Sequence, residues 1–136
     1  MAVDAVWTGA KSRFSDLPTG ANRIPGALES SGELGLSVNR QRWNAALRVR
    51  RLGPHALTED NRERGKPTTL VNLRLGLEAG RWELFADLLN LLNSRGHDVE
   101  YIYATRLPGE PPEGVEGRNS RTVEPRQLRL GVRARW

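Results

Sequence analysis

Apolar and polar side chains alternate residue by residue in four stretches of the chain. In LVNLRLGLEA (70–79), Val71, Leu73, Leu75, Leu77 and Ala79 oppose Asn72, Arg74, Gly76 and Glu78. In WNAALRVR (43–50), Trp43, Ala45, Leu47 and Val49 oppose Asn44, Ala46, Arg48 and Arg50. ELGLSVN (33–39) sets Leu34, Leu36 and Val38 against Glu33, Gly35, Ser37 and Asn39, and LRLGVRARW (128–136) sets Leu128, Leu130, Val132, Ala134 and Trp136 against Arg129, Gly131, Arg133 and Arg135. On a helix these residues would scatter round the axis. On a strand, where successive side chains point to opposite faces, each stretch has one apolar and one polar face. Residues 3–14 are rich in strand formers, but Val6 and Trp7 fall on opposite faces and leave that parity open. RWELFADLLNLLN (81–93) fits two periods: Trp82, Leu84, Ala86 and Leu88 alternate, while Trp82, Phe85, Leu88, Leu89 and Leu92 form a helical stripe. The preceding EAGR reads as a tight hairpin turn, which requires a second strand after it.

The connections alternate strictly. NRQR (39–42) and AGR (79–81) are short, whereas 15–26, 54–67 and 93–122 are long, polar and rich in Gly and Pro. Trp43 and Trp82 directly follow the short turns, and Trp136 ends a strand that must run back toward them, so all three share one rim and one parity. Short turns at one end, long loops at the other and an aromatic belt are the pattern of an outer-membrane barrel. The expectation is an all-β, antiparallel meander of six strands near 3–14, 27–38, 43–53, 68–79, 82–92 and 123–136, each paired with its sequence neighbour. Its apolar face would meet lipid. Asn44, Arg48, Arg50, Asn72, Arg74, Glu78, Arg129, Arg133 and Arg135 would line a polar interior.

Composition changes this picture little. The chain has 136 residues and a net charge of +5, and all but Lys11 and Lys66 of its 21 basic residues are Arg. The arginines alternate along strands instead of clustering with aromatics, so no nucleic-acid partner is expected. Without cysteine there is no disulfide framework or thiolate chemistry. No apolar run approaches the ~18 residues of a transmembrane helix. The opening MAVDAVWTGAK has neither a basic n-region nor an apolar core, so no signal peptide is expected there. Gly-x-Ser-x-Gly, P-loop and His-Glu-x-x-His signatures are absent, and neither enzyme activity nor a cofactor is expected.

Four stretches resemble the C-terminal part of the barrel of TonB-dependent outer-membrane receptors. NRIPGALESSGELGLSVN (22–39) is similar to an extracellular Ile-Pro-Gly-Ala segment leading into a strand. RWELFADLLNLLNSR (81–95) is similar to a strand ending in Asn-Leu-Leu-Asn. DVEYIYATRLPGEP (98–111) resembles an aromatic stretch followed by Arg-Leu-Pro-Gly-Glu-Pro. VEPRQLRLGVRARW (123–136) resembles the closing strand with its terminal aromatic. The resemblance covers most of the chain from residue 22 and favours a strand at 82–92. It implies energy-coupled uptake of a scarce nutrient such as a ferric siderophore, cobalamin or a sugar. It also implies a plug domain and TonB as partners in the full receptor, and a C-terminal signal, carried by Leu128, Leu130, Val132 and Trp136, for the barrel-assembly machinery. The expected location is the outer membrane of a Gram-negative cell. Neither a plug nor a TonB-contact segment is recognisable, and six strands fall short of the ~22 of such transporters. The whole chain, 1–136, therefore reads as partial barrel, inactive alone.

Loops carry binding, which makes Asp98, Glu100, Tyr101, Tyr103 and Arg106 the expected ligand contacts. His97, Asp98 and Glu100 offer metal-ligand chemistry, but the second histidine, His55, is distant in sequence, and a solvated loop is the plainer reading. The membrane-interface girdle would be Trp43, Trp82 and Trp136. Two other classes stay open: a small independent outer-membrane barrel, and a soluble β-sheet protein binding an acidic partner.

Overall fold

A computed structural model describes residues 1–136. Ten strands and no helix make up the chain: β1 (Ala2–Gly9), β2 (Ser30–Arg40), β3 (Trp43–Leu52), β4 (His55–Ala56), β5 (Arg64–Gly65), β6 (Thr68–Ala79), β7 (Trp82–Leu89), β8 (His97–Thr105), β9 (Val115–Thr122) and β10 (Gln127–Ala134). Six of them form one antiparallel sheet in the order β1-β2-β3-β6-β7-β10. All six strands expected from alternation are present and meet in sequence order. The sheet is open, with β1 and β10 as its two edges.

Residues 82–89 are strand, not helix. They pair with β6 on one side and β10 on the other, which a helix could not do. Two turns hold the register. Ala79 faces Trp82 across Gly80–Arg81, and Arg40 faces Trp43 across Gln41–Arg42. Gly80 has φ +64°, which glycine adopts freely; Gln41, at φ +52°, holds the equivalent position against its side chain's preference.

Register extends the alternation across the sheet. One row reads Val3–Leu36–Leu47–Leu73–Leu88–Leu128, and the next reads Val38–Ala45–Leu75–Ala86–Leu130. The open parity of the first strand is settled by pairing. Val3, Ala5 and Trp7 face Leu36, Leu34 and Gly32, so Trp7 is on the apolar face and Val6 on the polar one. Nothing covers the apolar face: Leu34, Val38, Leu75, Leu84, Leu130 and Val132 are all exposed.

The long connections differ from expectation. Residues 93–122 contain the β8–β9 hairpin, so β7 reaches β10 only after that excursion. The segment 54–67 folds back through β4 and β5. The expected first strand, to residue 14, stops at Gly9, and the last begins at Gln127 instead of 123. The buried apolar residues are Ala56, Leu57 and Val123, all outside the six-stranded sheet. Such packed core as the chain has therefore sits among the loops at the sheet's long-loop end.

Candidate functional site

Two surfaces concentrate the chemistry. The first is the apolar face with its two rims. At the short-turn rim, Trp43 and Trp82 begin β3 and β7 on this face, and Trp136 follows β10; they are 62%, 49% and 104% exposed. At the opposite rim a row of partners reads Trp7–Gly32–Arg51–Thr69. Alternation did not assign Trp7 to this face; pairing does. The Trp7 ring lies against Gly32, where a Cβ would collide with it, so only glycine admits the ring here. Each rim also carries an arginine beside a tryptophan: Arg51 in the Trp7 row and Arg40 opposite Trp43.

On the polar face, most arginines are matched by carboxylates of the same wall. Arg48 pairs with Glu33, and Arg74 lies 3.7 Å from Asp87 while stacking over the Phe85 ring at 4.7 Å. Arg133 donates to Glu83 at 3.0 Å, and Arg135 reaches Glu78 at 3.2 Å and Glu83 at 3.4 Å. Alternation put Glu33 and Glu78 on the same face as the arginines but did not show which of them pair across strands. These pairs leave the face far less cationic than the arginines alone imply.

The second surface is the loop cluster. Backbone bonds tie its segments together: Arg23 donates to Glu59, Gly26 to Ala56 at 2.8 Å, and Glu29 to Pro54. Leu28 bridges to His55 of β4. Beneath the β8–β9 hairpin lies Glu100, with a side chain only 1% exposed. Arg118 Nη2 donates to its Oε1 at 2.7 Å and also to the Arg64 carbonyl at 3.4 Å. His97 Nδ1 lies 2.9 Å from the same Oε1, and His55 Nε2 lies 3.9 Å from Oε2. Buried Oε2 and buried His55 Nδ1 have no hydrogen-bond partner. The two histidines, distant in sequence, thus meet at one carboxylate. No group of three or more His, Asp or Glu side chains is arranged to hold a metal ion.

Of the other expected ligand contacts, Asp98 lies 3.7 Å from Arg121. Tyr101 and Tyr103 are 54% and 52% exposed, and Arg106 is exposed just beyond β8. Glu100 is separated from these four by its burial: its carboxylate is committed to side chains of this chain. At the tip of 58–63, the Thr58 hydroxyl, then the Arg62 N–H, hold the Asp60 carboxyl below its usual range. That contribution to loop order is present above the ordinary carboxylate pKa and fades as pH falls through the lowered one.

The Asn-Leu-Leu-Asn stretch has a structural role. Asn90 is 4% exposed and adopts φ +47°; Asn93 adopts φ +51°. Asparagine tolerates this left-handed region better than most side chains. Asn90 Nδ2 donates to the carbonyls of Ser94 (2.9 Å) and Glu124 (2.8 Å), and Oδ1 accepts from the Ser94 N–H (2.8 Å). Asn93 Oδ1 accepts from the Arg126 N–H. The pair pins the exit of β7 to the approach to β10. Replacing Asn90 with Ala should release those groups and add backbone strain, a loss of about 3 kcal/mol. Trypsin should then cut after Arg95 much faster while cleavage after Arg62 is unchanged. Equal rates at Arg95 in the two proteins would refute the pin.

No protein-family model matches the chain, and no curated protein matches it.

Proposed function

We propose that the chain forms part of the wall of a TonB-dependent outer-membrane receptor barrel, about a quarter of a ~22-stranded circumference, that serves nutrient uptake only when joined to the rest. The observation that carries this reading is the uncovered apolar face bracketed by two tryptophan–arginine rims. From Gly32 to Arg40 along β2 is eight residues, ~27 Å of strand. At a barrel tilt of ~40° this spans about 21 Å of membrane, close to the ~25 Å apolar band of such proteins. Tryptophan suits both rims because its ring is apolar and its N–H polar. Paired charges on the other face fit a wall that borders a plug and water. The four stretches that resemble the receptor family support the same assignment. In it, Tyr101, Tyr103, Arg106 and Asp98 stand on the extracellular side as ligand contacts, while Glu100 organises the loops beneath them.

The test is where the chain goes in a Gram-negative cell when it is joined to the strands that complete the barrel. It should fractionate with outer membranes, resist alkaline washing and leave them only in detergent. Recovery in the aqueous fraction would refute the assignment.

The C-terminal tryptophan gives a second test. Trp136 lies past β10 and is fully exposed, so the folded sheet does not need it for packing. If the assembly machinery reads it, Trp136→Ala in the complete receptor should lower the assembled amount several-fold. Trp43→Ala, in the same belt but not terminal, should lower it less. Equal surface levels for Trp136→Ala and its parent would remove the signal role.

A further inference from the structure

We propose that the Trp7–Gly32–Arg51–Thr69 row forms a groove for one phosphate-bearing acyl lipid, its chain lying against Trp7 and its phosphate on Arg51. The inference rests on the membrane reading above and adds a specific lipid site to it. The groove is an open depression of about 390 Å³ whose lining includes Ala5, Trp7, Gly32, Leu34, Val49 and Arg51. Gly32 shapes it by admitting the Trp7 indole, which lies over the β2 backbone there and forms one wall, while Arg51 forms the other. The next row toward the short turns is Ala5–Leu34–Val49–Val71, wholly apolar and aligned to continue an acyl chain.

Charge defines the other end of the ligand. Arg51 is exposed at the long-loop rim of the apolar face and forms no ion pair with this chain. Its Nη1 donates to Thr69 Oγ1 at 3.1 Å, which steadies the guanidinium and leaves further donors free. The one carboxylate at the groove, Glu33, belongs to the opposite face, where Arg48 holds it. A cation at the polar rim of an apolar surface calls for an anion carried on an apolar body. A planar guanidinium matches two oxygens of a phosphomonoester at once. A zwitterionic headgroup offers the same chain but a weaker partner for Arg51.

The experiment uses the chain within the complete barrel, extracted from outer membranes in mild detergent. The probes are phosphatidic acid and phosphatidylcholine with identical brominated acyl chains, which quench nearby indoles, and inorganic phosphate as competitor. Phosphatidic acid should quench the Trp7 component, defined as the difference from Trp7→Phe, at roughly tenfold lower concentration than phosphatidylcholine. Arg51→Gln should abolish that preference while leaving quenching of Trp43 and Trp82 intact, and phosphate alone should displace the lipid only weakly. Equal quenching by the two lipids, an unchanged preference in Arg51→Gln, or displacement by phosphate as effective as by phosphatidic acid would overturn the groove and leave the membrane assignment standing. Absent quenching of Trp43 and Trp82 as well would overturn both.

Discussion

Purified without detergent, the 136-residue chain is expected to be a polydisperse assembly, not a monomer of 15.2 kDa. Folding must offset about 1–2 kcal/mol of backbone entropy per residue, chiefly by burying apolar surface. Here 12 of 136 residues are buried, and the apolar ones among them are Ala56, Leu57 and Val123. The side chains that could form a core, such as Leu34, Leu75, Leu130 and Val132, lie on the uncovered face. A contiguous apolar surface of that size on a sheet with open edges invites association. Lipid solves the face but not the edges. β1 and β10 have eight residues each, and about half of their N–H and C=O groups point away from the sheet. At membrane depth each unpaired group costs several kcal/mol, so two bare edges exceed the ~5–15 kcal/mol stability of a whole domain. Strands supplied by the rest of a barrel, or by other copies, would pair them. Sedimentation equilibrium in buffer provides the check. A monodisperse monomer with a cooperative unfolding transition would refute this expectation and the barrel reading with it.

The sheet was legible in sequence because its two faces meet different surroundings, and a period of two records that difference residue by residue. Even the ambiguous 82–89 was resolved by its flanking turn, since Gly80 at φ +64° closes a hairpin that obliges a strand on either side. The hairpin at 97–122 was not legible. Neither of its faces packs on a broad core, and β9, VEGRNSRT, has almost no apolar residue to carry a period. Val99, Tyr101 and Tyr103 do alternate with Glu100, Ile102 and Ala104, and that was the one available signal. The loop core was hidden for another reason. Leu57 and Val123 are isolated apolar residues in polar stretches, and their burial arises only when distant segments meet. Glu100 was picked out as a loop residue for ligand contact; its burial follows from His55, His97 and Arg118 converging from three different strands.

That convergence makes Glu100→Gln a substitution that should loosen the loop cluster around β4, β8 and β9. The carboxylate accepts from Arg118 and sits between both histidines, joining β8 to β9 directly and to β4 through His55. Neutralising it keeps the shape but removes the charge that Arg118 and the histidines face. Breaking a buried ion pair from one side costs about 3–5 kcal/mol. Arg118 is 39% exposed and can partly rehydrate, which brings the expected loss down to about 2 kcal/mol. The loss should be local, because the β3–β6 ladder meets this cluster through the Thr68 hydroxyl, which donates to the His97 carbonyl at 2.9 Å and not to the Glu100 carboxylate. In the folded sheet, amide exchange at Gly26, which donates to Ala56, and through β8–β9 should accelerate by about 30-fold, while Leu47 and Leu73 keep their protection. Arg118→Ala should produce much the same opening, and the double variant little more, because both changes remove one interaction. Unchanged exchange at Gly26 in Glu100→Gln, or full additivity with Arg118→Ala, would show that Glu100 does not tie the loops together.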